Sequence, residues 1–261
     1  MTPRSRVRLI VAFSVLCVLG AVLLPATPQP LAYHDFADRR ACFGIPNFFD
    51  VASNALFLLG GVLGLYAVYR ARFVSAQERW PYAIFFVGVT LTAIGSTYYH
   101  LAPDNQRLFW DRLPMAVAFM TLICAQVTDR VSVRAGLRLL APLVLVGVAS
   151  VFYWRMTERA GAGNVIPYAV LQAWSVLVLV FIAALYRSRY SHATAIYWVF
   201  VVYLAAKIFE SFDRGIYELT GFISGHTLKH LAAGVGGLIV ARMIWQRVPA
   251  AGTNRAPLPI A

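Results

Sequence analysis

The sequence predicts an all-α integral membrane protein, and three observations carry that expectation. Of its 261 residues, 60% are hydrophobic and only 13% charged, where a soluble domain carries roughly 25% charged residues. Apolar runs recur along the whole chain, each close to the ~20 residues that cross a hydrocarbon core as a helix. The connections between these runs are short, with no space for a separate soluble domain.

Eight spans are expected, at 9–25, 48–69, 81–101, 113–128, 137–154, 166–186, 194–212 and 226–245. The first follows MTPRSRVR and reads as a retained helix, its rival being a cleaved leader that ends near PLAYHD. The second opens with FDVASNALFLLGG, the third closes on GSTYYH, and WDRLPM leads into the fourth. The seventh, AAKIFESFDRGIYE, carries Lys207, Glu210 and Asp213 at intervals of three. On a helix these form one polar stripe, expected to hold a buried, mutually neutralising Lys–Glu pair. Trp80, Tyr82, Trp110 and Trp198 stand near span ends, where aromatic side chains anchor at the membrane interface. Cys17, Cys42 and Cys124 have no evident disulfide partners. Residues 248–261 read as a loose Pro/Ala-rich tail.

The net charge of +12 does not point to nucleic acid, because of how it is distributed. Sorted by alternate connections, 14 of the arginines fall on the side that holds both termini and 7 on the other. The richer side is expected to be cytoplasmic, with its basic excess facing anionic lipid.

Ionisable groups inside a span are functional candidates because burying them is costly. His226 and His230 are four apart, so on a helix they share one face, the spacing that lets two imidazoles hold one metal. The alternation of spans then places His100, at the outer end of the third, at the same depth as the start of the eighth. Three nitrogen ligands with a fourth position left for water is how catalytic zinc sites are built. His34 and His192 lie in connections and read as solvated loop residues.

Ser96 lies one turn before His100 on the same face, either bonding back to a helix carbonyl or facing the histidines. Asp111 reads either as a helix cap or as a carboxylate able to take a proton beside the metal. Lys229 is expected to point away from the histidines and to reach the interface.

Together these residues resemble the alkaline ceramidase family, part of the CREST superfamily of membrane hydrolases, in a bacterial-type form. GSTYYH, WDRLPM and GHTLKH stand for the family's signature segments, and Ser53 and Asn54 for the Ser-Asn pair of its first core helix. The likeness spans about residues 35 to 245. It implies a seven-helix hydrolase core over 35–247, preceded by an additional transmembrane helix and loop over 1–34, in the plasma (inner) membrane. It also implies that His100, His226 and His230 bind zinc, and that Ser96 and Asp111 act on the zinc-bound water. The substrate it implies is ceramide or a related N-acyl lipid drawn from the bilayer. Some members hold calcium through acids in the segment where this chain has Asp35 and Asp38. Here Arg39 and Arg40 interrupt the acidic run, and Asn47 stands where those members carry an acid, which counts against calcium. The rival functions are a lipid esterase or phospholipase with the same site, a progestin/adipoQ-type receptor, and a transporter using the Lys–Glu stripe. The transporter is disfavoured by the absence of internal repeats.

Overall fold

Every expected apolar run forms a helix. In the computed structural model, which describes residues 1–250, ten α-helices follow one another. They are α1 (Pro3–Leu23), α2 (Phe48–Ser53), α3 (Ala55–Arg70), α4 (Arg79–Leu101), α5 (Asn105–Arg130), α6 (Val133–Arg159), α7 (Ile166–Leu185), α8 (Ala195–Ser211), α9 (Asp213–Thr220) and α10 (Gly225–Gln246). Short 3₁₀ turns occupy Leu31–His34 and Ala76–Glu78. Among the described residues there is no strand, only isolated bridges joining Cys42 to Ile45 and Tyr190 to Pro249.

Among the described residues, seven segments are long and apolar enough to span a membrane, with α2 and α3 counting as one, or eight if the bent pair α8–α9 forms one span. The chain is a multi-pass membrane bundle. The largest boundary shift from expectation is at the start of the fourth span, and the seventh ends within one residue of expectation but at an unexpected bend. The fourth span begins at Asn105, because Asp104 caps it by accepting the Arg107 N–H at 2.6 Å. The seventh ends at Ser211, and the chain then turns by 77° into α9.

α10 packs between α3 and α8, while α5 is flanked by α4 and α6. The core between them includes Tyr82, Phe86, Met120, Val240 and Ile244. Two glycines set how closely helices meet around the histidines. A Cβ on Gly95 of α4 would lie 2.0 Å from the Trp110 carbonyl oxygen of α5, and one on Gly225 would lie 2.1 Å from that of Phe209. Neither contact admits a side chain. α1 stands outside the bundle against α7, with Phe13 edge-on to Phe181 and the Trp174 indole donating to Ser14 Oγ at 2.9 Å.

Both ends of the described chain lie at one end of the bundle. Arg6 sits over the Tyr186 ring there, and the Val248 N–H donates to Ser191 Oγ at 3.0 Å. The expected loose tail is therefore tied down at its start, Ala250 also donating to the Arg189 carbonyl; residues 251–261 lie outside the described residues. This terminal end contains a buried ionic network. The Arg247 guanidinium donates to both Asp129 oxygens at 2.9 Å, and the Tyr82 hydroxyl donates to Asp129 Oδ2 at 2.7 Å. Tyr82 is thus a core residue with no exposed surface, not the expected interfacial anchor. Its hydroxyl has found a partner in the interior, as a buried tyrosine requires. Trp80, Trp110 and Trp198 are exposed as expected. The three cysteines are free.

Candidate metal centre

At the opposite end of the bundle, the last turn of α4 and the first two turns of α10 bring His100, His226 and His230 together. All three are buried, and their ligand nitrogens lie within 4.8 Å of one another. The three ring centroids form an even triangle of 4.8 Å sides. His100 Nε2 and His226 Nε2 approach to 3.3 Å. Two nitrogens bound tetrahedrally to one ion at the usual Zn–N distance stand about 3.3 Å apart. The donor set can hold one metal ion.

The ring of His230 is oriented by α2. Its Nδ1 lies 3.0 Å from Ser53 Oγ and 3.1 Å from the Asp50 carbonyl. As donor to those acceptors, Nδ1 carries the proton and leaves the Nε2 lone pair free for a metal, an arrangement typical of ligating histidines. The break between α2 and α3 makes this geometry. At Asn54 the backbone N–H turns to Ala52 and Val51, so the Asp50 carbonyl is free to accept from Ser53 Oγ, Asn54 Nδ2 and His230.

α10 is held in register by its own N-terminus. Ser224 caps it, accepting the Thr227 N–H at 3.0 Å, and Asp213 accepts the His226 N–H at 2.7 Å. Thr227 Oγ1 donates to Asp50 Oδ1 at 2.7 Å. Asp213 therefore leaves the expected stripe. The 77° turn after Ser211 removes it from the helical spacing on which that stripe depended.

Asp111 is the seventh residue of α5, so it caps nothing. Instead its backbone lies against Gly95 of α4, 3.2 Å from where a Cβ would stand, next to buried Ser96, and the Asp111 side chain is itself buried. Of the sequence-predicted residues, His100, His226 and His230 come together, and buried Ser96 and Asp111 lie at the same end of the bundle.

The connection 24–47 covers this end. Phe36, buried, lies 4.7 Å from the His100 ring and 4.4 Å from that of His226. His34 is half-buried, not the solvated residue expected, because its ring nitrogens engage the Tyr99 hydroxyl at 2.7 Å and Asn105 Oδ1 at 2.9 Å. His192 is exposed. Asp35 pairs with Arg39 and Arg214, and Asp38 with Arg40 at 2.7 Å. Burial pushes the Asp38 carboxyl up, but the hydrogen bonds and charge of Arg40 more than reverse this, holding it below its ordinary value. Asn47 spends its amide on the His100 carbonyl at 2.8 Å. The candidate calcium ligands Asp35 and Asp38 are therefore taken up by arginine, and their surroundings do not suit a cation.

Lys229 has a partner on another helix. Half-buried, its ammonium pairs with Glu210 Oε1 at 2.5 Å, and Glu210 also takes Lys207 and the Tyr33 hydroxyl. A carboxylate already inside the bundle removes the cost of keeping that ammonium there. Asp50 is the site residue that sequence reasoning passed over. The signal was present: it is the single acid between Phe48 and Arg70, inside an otherwise apolar span. No protein-family model matches the chain, and no curated protein matches its sequence.

Proposed function

We propose that the chain is a zinc-dependent hydrolase of the membrane that cleaves the amide bond of ceramide or a related N-acyl lipid. The observation that carries this reading is a buried three-histidine donor set with a buried carboxylate, Asp111, at the same end of the bundle. A nitrogen-only set of three suits zinc with one position left open, and zinc held by His100, His226 and His230 supplies Lewis acidity and a nucleophile at neutral pH.

The chain's own groups do the rest. Ser53 and the Asp50 carbonyl fix the His230 tautomer. Asp111 takes a proton from the nucleophile and returns it to the departing amine. Ser96 orients that carboxylate and can donate to the developing oxyanion, a contribution often worth ~3 kcal/mol. Phe36 keeps bulk water off the rings. An apolar groove between α5, α7 and α8, lined among others by Phe119, Leu179 and Tyr203, suits an acyl chain. The preference for an amide, and for ceramide, follows the likeness to alkaline ceramidases. The arginine asymmetry supports cytoplasmic termini and a site at the outer face.

The test is a mass-resolved assay of purified, zinc-loaded protein against ceramide and a matched ester lipid. Amide cleavage is expected. Asp111→Asn should keep zinc while losing about 10²- to 10⁴-fold in turnover. Cleavage of the ester alone makes the protein a lipase. Cleavage of neither, with tight lipid binding, makes it a receptor.

A further inference from the structure

Arg112 follows Asp111 on α5 and is buried, with 6% of its surface exposed. Its Nη2 donates to a neutral acceptor, Gln29 Oε1, at 2.6 Å, and its Nη1 has no hydrogen-bond partner. The guanidinium lies over the rings of Trp154, Tyr168 and Tyr33, at 4.4, 4.9 and 5.5 Å.

Arg247, at the terminal end, is an internal comparison. It too is buried among three rings, Tyr190, Phe73 and Tyr82, at 3.5, 4.7 and 5.3 Å. It also has N–H groups without an acceptor. The difference is its counter-ion: Arg247 has both oxygens of Asp129, whereas Arg112 makes no ion pair among the described residues. Burying a charge without its partner is costly, and a guanidinium is shaped to take carboxylate or phosphate oxygens. The surroundings carry both signs: Lys207 and Lys229 share the single carboxylate of Glu210, while the Glu158 carboxylate accepts from the Trp154 indole and the Gln29 N–H.

We infer that Arg112 binds an anionic oxygen group, a carboxylate or phosphate, on the amine-bearing half of the lipid, an assignment that rests on the N-acyl lipid reading above. Such a group completes the cage as Asp129 completes that of Arg247. It also holds the amide beside Asp111, the adjacent residue, while shielding that carboxylate from the ligand's negative charge. The preferred lipids are then N-acyl amino acids or N-acyl phosphoamines, ahead of uncharged ceramide.

The test reads binding, so that it stands apart from hydrolysis. Full-length protein in an uncharged detergent is titrated with N-oleoylglycine, N-oleoylethanolamine phosphate and N-oleoylethanolamine at matched mole fraction, following tryptophan fluorescence, to which Trp154 reports directly. At least one anionic lipid should bind about tenfold or more tightly than the uncharged one, and the stronger of the two identifies the group. Arg112→Gln should bring that ratio close to one. Equal binding of all three by the wild type overturns the proposal, as does an undiminished ratio in Arg112→Gln. Should Arg112→Gln fail to fold, Arg112→Lys decides: several-fold weaker anion binding with the preference retained supports the fork, and unchanged affinity overturns it. Anion-selective binding without cleavage of any of the three leaves Arg112 as the recognition cation and removes the hydrolase reading alone.

Discussion

The two ends of the bundle spend their buried polar groups in opposite ways. At the terminal end, opposite charges meet one another. Asp129 accepts from Arg247 and Tyr82, and Glu78 takes Tyr190 and Arg189. At the histidine end, three imidazoles converge with no carboxylate among them. Four groups here, His100 Nδ1, Asp50 Oδ2, Asn54 Oδ1 and Arg112 Nη1, are buried without hydrogen-bond partners, whereas at the terminal end only N–H groups of Arg247, itself already ion-paired, are so placed among the described residues. The first arrangement fastens helices together. The second places three imidazole nitrogens where one metal ion could be held, and polar groups buried within membrane spans are functional candidates.

The sharpest way to break this contrast is to remove ligands from one end and a counter-ion from the other. His226→Ala with His230→Ala should take the metal content from about one ion per chain to none, with helicity by circular dichroism preserved; full retention of metal removes the centre. Asp129→Ala should leave the metal untouched and cost stability instead. Stranding the Arg247 charge predicts about 3–5 kcal/mol, read as a lowered unfolding midpoint in detergent. If the two variants exchange phenotypes, the division of labour between the ends is wrong.

Smaller effects sharpen the picture. Ser53→Ala removes one of two groups orienting His230, and loss of such a partner costs ~10- to 100-fold in metal affinity; competition with a chelator measures it. The smallest effect belongs to the covering connection. The Asp38 carboxyl is held below its ordinary value by Arg40, so the folded state binds this proton less readily than the unfolded one. Its contribution to stability is present above the ordinary carboxylate value of ~3.9 and fades as pH falls below it. The wild type should therefore lose more stability between pH 5 and pH 3 than Asp38→Asn does, as followed by thermal unfolding at each pH.

Much of this was legible in the sequence because it depends on short-range pattern. All eight apolar runs became helices, and the i, i+4 spacing of His226 and His230, combined with alternation of the spans, put His100 beside them. What escaped depends on contacts between distant segments. Ser53 meets His230 across 177 residues, and Asp50 reaches Thr227 over a similar separation. Lys229 could be placed only once Glu210 on another helix was seen to accept it. Tyr82 reads as an interfacial residue from its place near a span end, and nothing nearby in the sequence announces Asp129, which accepts its hydroxyl. The role of Asp111 as a cap failed for a local reason: Asp104, seven residues earlier, competes for that position and wins it.

The placement of Phe36 bears on how quickly a bound ion can leave. It rests against two of the three ligand rings, and its flanks are tethered, His34 to Tyr99 and the Ala37 N–H to Asp213 at 3.0 Å. Asp213 also holds the N-terminus of α10, so lifting this segment disturbs the helix that carries His226 and His230. Metal exchange should then be limited by opening of the segment and not by the intrinsic strength of the bonds. With rising chelator, the stripping rate should climb and then level off at the opening rate, and Phe36→Ala should raise that plateau. The ion would be retained kinetically, long after its concentration in solution had fallen too low to replace it.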